Sequence, residues 1–471
     1  MIPKDMRPIS RQAGLVSVLV LLALFFVLLG AAAAAPEENP LSSPSASGFA
    51  RRPLPPDPGL EGDGDQDRRT VPASPSSVDR TLVLEKNTDY YDAGNVVITQ
   101  ATAIFLDQGT AWTRYQSGEL DTIAPPGAEL EAIKASPIYS PQLHVYPGTH
   151  TDIYAFSHDV PPFDNPLVRA AFSAAIDRER VIDEALTGDE LPALTYTPPR
   201  HFGHVDGYAE GIGHPFSPTV AAQLLADSGY TGVPTITLMV NTSDKHLAVA
   251  EAVQDIWYET LGISVTIKHL PWGAYSQLLS EGSPAERPGV FRVGWLSDFP
   301  DAHDWHGWAF GTVKEWSRYD NPDYYALVDE AAAETDPAKR PELYEQAEAT
   351  LVMTDTAIAP LYYGVNYRLT RPELDRTYRN FGQRLEEWSF TPSQRPLEVG
   401  RGAPATLDPA LSWDWDYVEQ LFVGLTGVDN DTGEAVPALA QSWEVSPDAR
   451  VFTFTLRSDV EWTDGNPVRA Y

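Results

Sequence analysis

From Thr81 the chain alternates apolar and polar residues in TLVLEKN, the two-residue period of a half-buried strand. ITQATAIFLD, after Asn95, repeats the pattern, and the polar TDYYDAGN between them reads as a turn. AWTRYQSGELDTI then predicts a short helix closed at Gly118, where a residue without Cβ takes the left-handed capping conformation, followed by a short apolar segment from Leu120 to Ala124. Apolar residues return at helical spacing in PLVRAAFSAAIDRERVIDEAL, with Val168, Phe172, Ala175, Ile176 and Ile182 on one face. Asn165 supplies the cap, Pro166 suits the first turn, and one helix running towards Gly188 is predicted. SPTVAAQLLADSGY predicts a second helix from Ser217 to Gly229.

TITLMVN, the helix around AVAEAVQDIWYETLG and ISVTIKHL form a β-α-β unit, which demands parallel strands and a right-handed crossover. VFRVGW adds a strand at Val290 to Trp295, and Asp298 follows its carboxyl end, the edge where open α/β sheets gather ligands. Helices over Tyr324 to Ala333 and Pro341 to Thr354, the apolar run IAPLYYGVNYRLT, a new strand at LEVGRG and another at FTFTLRSDVEW complete the pattern. Strands and helices in alternation define an α/β class.

With 471 residues the chain has material for two or three globular units. Its 33 basic against 66 acidic residues give a net charge of −33, which repels nucleic acid and anionic membranes, so no nucleic-acid partner is expected. The absence of cysteine excludes disulfides, thiolate metal sites and cysteine nucleophiles. Lys4, Arg7 and Arg11 precede an apolar run from Ala13 to Ala35 with an Ala-x-Ala exit, the pattern of an export signal over residues 1–35. The run is also long enough to span a bilayer, for which about 20 residues suffice, so an uncleaved anchor is the alternative. Either way the body is expected outside the cytoplasm, periplasmic or at the cell surface. Residues 36–80, rich in Pro, Ser, Gly and Asp, read as a flexible tether.

Several segments occur in a family-like array: TLVLEKNTDYYD, YQSGELD, PPFDNPLVRAAFSAAIDRERV, AAQLLADSGY, GWLSDFPD, APLYYGV, GAPATLDPAL and VPALAQSWEVSPDARVFTFTLRSDVEWTDGNPV. Together they resemble the family 5 extracellular solute-binding proteins, the oligopeptide- and dipeptide-capturing partners of ABC importers. The resemblance implies a two-lobed, type II periplasmic-binding-protein-like fold with a hinge, working as a monomer without cofactor or metal and without catalysis. Its implied partners are a peptide or similar small solute and a membrane ABC permease. One lobe is expected from residues 81–160, continued by 376–471, and the second from 161–375.

The order departs from the family at one place. TLDPAL and PALAQSWEVSPD, which open the mature family proteins, here close the chain, and the stretch that normally separates WTDGNPV from TLVLEKN is lacking. A circular permutant, with most of the peripheral subdomain missing, and a piece of a tandem array both account for this. In the permutant, Leu397 to Leu456 completes the lobe that Thr81 to Ser157 begins.

By resemblance, Asp298 receives the ligand's α-ammonium group, Trp295 and its neighbour Leu296 line the pocket, and Phe422, Val423 and Gly424 form a second cleft-lining element. A carboxylate in a closed cleft suits this role, because low dielectric strengthens a charge-assisted hydrogen bond. Val423 stands where a glutamate is frequent in the family, which removes a polar contact and leaves sugars or other solutes open. The same residues also suit a capping aspartate and a core tryptophan. Asp301, His303, Asp304 and His306 lack the spacing of known metal motifs and read as loop hydrogen-bond partners. Glu386 with Glu387 and Asp414 with Asp416 leave a carboxylate-based glycoside hydrolase as the alternative from another class. A solute sensor of the same fold, no longer in transport, is the third.

Overall fold

The computed structural model describes residues 81–470 apart from 231–234, 337, 405, 411, 413–414, 431–432 and 447–448. The expected export signal and tether lie outside the described residues. Among the described residues no helix is long and apolar enough to cross a membrane.

In chain order the strands are β1 Thr81–Glu85, β2 Gln100–Phe105, β3 Thr122–Ile123, β4 Leu143–Phe156, β5 Leu191–Pro192, β6 Ile236–Asn241, β7 Val265–Leu270 and β8 Val290–Leu296. They continue with β9 Ile358–Thr370, β10 Leu374–Asp375, β11 Ser389–Phe390, β12 Leu397–Arg401, β13 Thr426–Val428, β14 Ala435–Pro437, β15 Ala440–Val445 and β16 Phe452–Leu456. One sheet runs β1-β2-β12-β3-β9-β4-β8-β6-β7, with β5 attached to β9.

The β-α-β unit forms as its pattern requires: β6 and β7 are parallel, joined by the helix Asp244–Leu261, and β8 pairs parallel to β6. Alternate strand residues feed two cores. Tyr154, Phe156, Leu238 and Val240 pack with Phe172 and Trp257 on one face, while Ile153, Ala155, Met239 and Phe291 pack with Trp305, Phe310 and Tyr324 on the other. A smaller half has its own cores, one built on Trp112, Tyr115, Leu120, Ile123 and Leu369, the other on Ala101, Leu374, Trp388, Phe390 and Leu397.

β4 and β9 belong to both halves. Leu143 and Leu369, paired across the ladder, pack in the small half, whereas Ile153 to Phe156 and Ala359 to Tyr362 pack in the large one. The ladder between them slips at Pro147/Thr151, beside Gly148 and Gly364. A Cβ on Gly148 would come within 3.0 Å of the Gly364 carbonyl oxygen, so the two backbones touch at the crossing.

Two expectations change. The long helix after Asn165 is two helices, Pro166–Ala174 and Arg178–Ala185. Asp177 interrupts it: its side chain accepts from the Arg180 amide and caps the second helix. Arg178 is buried and donates to the carbonyls of Ile176, His214 and Pro360. Second, among the described residues of the segment Leu397 to Leu456 only β12 joins the large sheet, parallel to both β2 and β3. β13 with β14 and β15 with β16 form separate antiparallel pairs.

Candidate functional site

The GWLSDFPDAHDW segment leaves the sheet where β4 crosses between the halves. Trp295 is paired with Thr151, and the Ser297 amide donates to the Thr149 carbonyl at 3.0 Å. The Ser297 hydroxyl lies 2.7 Å from His201 Nε2. Gly294 is needed here because any Cβ would run into the Arg292 guanidinium and the His150 ring.

The three aspartates have three different environments. Asp298 is exposed. Asp301 is fully buried and held by both terminal nitrogens of Arg340, at 2.7 and 2.8 Å. Burial alone would lower the Arg340 pKa, and Asp301 outweighs it, so the guanidinium is raised above its ordinary value. Asp304 is also fully buried; its Oδ2 accepts from the Asp298 amide at 2.7 Å and from the Trp295 indole nitrogen at 3.3 Å. Among the described residues its Oδ1 has no hydrogen-bond partner. Burial, then the neighbouring Asp298 charge, push the Asp304 carboxyl up to about 8.

Asp304 thus holds the amide of one candidate ligand residue and the ring of another. Trp295 is half-buried and packs on the large-half core, while Leu296 is 45% exposed. Phe422, Val423 and Gly424 are exposed and follow the helix Trp415–Leu421; the Gly424 carbonyl accepts from the Leu439 amide. Chain proximity and Asp304 bring Trp295, Leu296 and Asp298 together; Phe422 to Gly424 come from the other half of the molecule.

The two halves meet beside this loop. Pro300 and Arg200 of the large half line a small crevice with Arg379, Asn380, Phe381, Asn430 and Gly433 of the other. His201 and Phe381 make an edge-on ring contact across it, 5.8 Å between centroids. Glu348, fully buried, fastens the Arg200 loop by accepting the amides of Tyr196 and Thr197 at 2.8 to 3.0 Å. Burial would raise this carboxyl, but His306 and the two amides outweigh it and keep it below its ordinary pKa.

Of the remaining candidates, His303 donates its backbone amide to Asp301 Oδ1 at 2.8 Å, but among the described residues its ring Nδ1 has no hydrogen-bond partner, and the others have structural partners. His306 Nδ1 lies 2.8 Å from the Tyr324 hydroxyl. Glu387 is bound by Arg379 and Thr377, and Asp416 by Arg401. Asp414 lies outside the described residues. Among the described residues no three His, Cys, Asp or Glu side chains converge as metal ligands do.

A site absent from the sequence expectations is the buried pair of Asp152 and Arg292, bonded twice at 2.8 and 2.6 Å, to which the Tyr362 hydroxyl donates at 2.9 Å. Burial would raise the Asp152 carboxyl, but Arg292 holds it below the usual range. Its only signal in the sequence is a charged residue inside each of two strands, Asp152 and Arg292, which must pair to be buried.

A sequence model described as bacterial extracellular solute-binding proteins, family 5 Middle, matches residues 75–317 and 434–471. The periplasmic oligopeptide-binding protein OppA of Escherichia coli (strain K12) is 30% identical over 318 residues, 64% of this chain and 57% of that protein. The probable deoxycholate-binding periplasmic protein YgiS of the same organism is 30% identical over 308 residues, 63% of this chain and 55% of that protein. The chain therefore spans little more than half the length of these curated relatives. The unliganded open form of the murein tripeptide-binding protein MppA is similar with a TM-score of 0.56 at 27% identity, covering 64% of this chain and 58% of that one.

Proposed function

The chain belongs to the bacterial extracellular solute-binding proteins of family 5, and from that premise we propose that it captures peptides between its two halves for an ABC permease. The peptide's ammonium end meets Asp298, its first side chain lies against Trp295 and Leu296, and Phe422 to Gly424 close on it from the other half. The observation that carries this reading is the exposed Asp298 beside the crossing of β4 and β9, with its backbone tied to Asp304. A carboxylate that is wet before binding and enclosed after it forms a far stronger bond to an ammonium in the enclosed state. The ligand thereby favours the closed population by the contacts that only closure creates. Bending at the slipped ladder near Gly148 and Gly364 is the motion required.

No step changes the ligand, and the protein works outside the cytoplasm, delivered there by its N-terminal apolar run. The test is calorimetry with short peptides carrying free or acetylated amino ends. Free peptides are expected to bind at least about tenfold more tightly, and Asp298→Ala to erase that preference. Equal affinity for both peptides in the parent chain would overturn the reading.

A second ligand class is favoured by one residue. Val423 offers no charge where family members often carry a glutamate, and the similar YgiS is named for deoxycholate, not a peptide. Tight binding of a bile acid with no response to any peptide would select that reading.

A further inference from the structure

The small half contains a cavity of about 330 Å³ away from the Asp298 loop, between the β2-β12-β3 part of the sheet, the helix Trp415–Leu421 and the segment around Trp388. Its size falls within the range of small-molecule sites. Part of its lining is apolar, including Ala101, Ala103 and Val399, alternate residues of the adjacent parallel strands β2 and β12. Three guanidinium groups also line it, Arg368, Arg376 and Arg401, with Asp416 as the one carboxylate among the lining residues described. In a chain of net charge −33, that is an inverted local balance.

Arg376 is the unusual member. It is only 8% exposed, yet its hydrogen bonds go to neutral oxygens: Thr122 Oγ1 at 2.9 Å, the Thr377 carbonyl at 3.2 Å and Gln383 Oε1. Its guanidinium lies over Trp388, 3.9 Å from the ring centroid, with Tyr378 at 4.9 Å. Burial and then the Arg368 charge lower its pKa to about 10, so it stays cationic at neutral pH. Asp416 is bound by Arg401, which also lies over Tyr417. Arg368 donates to the Tyr367 carbonyl at 3.1 Å. Among the described residues, two of the three cations therefore lack a bonded carboxylate in a partly apolar space, an arrangement that an anion with an apolar body would complete.

We propose that this cavity is a second ligand site, taking a compact organic carboxylate whose oxygens meet Arg376 and Arg368 and whose carbon chain lies on the Ala101, Ala103 and Val399 wall. A planar guanidinium fork matches a carboxylate's two oxygens, and the apolar wall separates such a ligand from inorganic anions. The site does not depend on the peptide reading, since none of its residues belongs to the Asp298 loop.

The test is calorimetric titration of the full chain with hexanoate, hexanol and inorganic phosphate. Saturable one-to-one binding of hexanoate is expected, with no heat from hexanol and at least tenfold weaker binding of phosphate. Arg376→Met should lower hexanoate affinity at least tenfold. Because Arg376 also braces Gln383 and Trp388, the half-buried Arg368→Met serves as the second variant, with loss of fivefold or more. Asp298→Ala should leave hexanoate binding unchanged, which separates failure here from failure of the peptide site. Absence of hexanoate binding, equal binding of phosphate, or an unchanged Arg368→Met variant would overturn the proposal.

Discussion

Three aspartates at a spacing of three residues look alike on paper, and their roles are set by what arrives from elsewhere in the chain. Asp301 meets Arg340, 39 positions later, and becomes half of a buried ion pair. Removing the cation leaves a buried charge with no counter-ion, so Arg340→Met is expected to cost about 3–5 kcal/mol in a urea unfolding experiment. Asp304 behaves differently because desolvation dominates it. Its folded pKa of about 8 lies above the ordinary aspartate value, so the native state keeps a proton that the unfolded chain releases. Stability must then fall as pH rises through that interval. Asp304→Asn retains an acceptor for the Asp298 amide and removes the titration. Its unfolding midpoint should hold steady from about pH 5 to about pH 8 while that of the parent declines. A parallel decline in both proteins would mean that Asp304 is ionised in the fold. The position of Asp298 beyond β8 was legible from the strand pattern alone. Its tie to Asp304 was not, because a hydrogen bond between loop residues leaves no periodic trace.

At the scale of elements, what the pattern predicted best was what depends on neighbours in sequence. The caps at Asn165 and Ser217, the left-handed Gly118 and Gly229, and the β-α-β unit all appear where local chemistry requires them. The helix that split in two is instructive, since its apolar spacing runs unbroken through the junction. A capping aspartate outweighed the periodicity there, and the resulting turn lets Arg178 reach the β9 carbonyl of Pro360. Asp177→Ala is expected to cost about 1 kcal/mol, the usual contribution of an N-cap, measured by denaturant unfolding. A value near zero would assign the break to Arg178. The insertion of β12 between β2 and β3 was beyond local pattern, because LEVGR carries no information about which edge it pairs with.

For the whole molecule, the important feature is that two strands serve both halves. β4 and β9 change partners and cores at one place, and there the ladder slips and two glycines bring the backbones into contact. Rigid cores on either side leave this crossing as the part of the structure able to bend, since packed interiors resist continuous deformation. In the proposed peptide-capture reading, bending at this crossing and the Asp298 anchor make separable contributions to affinity: one sets the cost of closing, the other sets what is recognised. Gly148→Ala places a methyl group 3.0 Å from the Gly364 carbonyl oxygen, which stiffens the crossing without touching Asp298. It should weaken binding of free and acetylated peptides by the same factor, several-fold, so the preference for a free amino end survives. Asp298→Ala should do the opposite, lowering affinity for the free peptide alone. Calorimetry on both variants with both peptides resolves the two effects, and a Gly148→Ala protein that binds like its parent would remove the crossing from the closing motion.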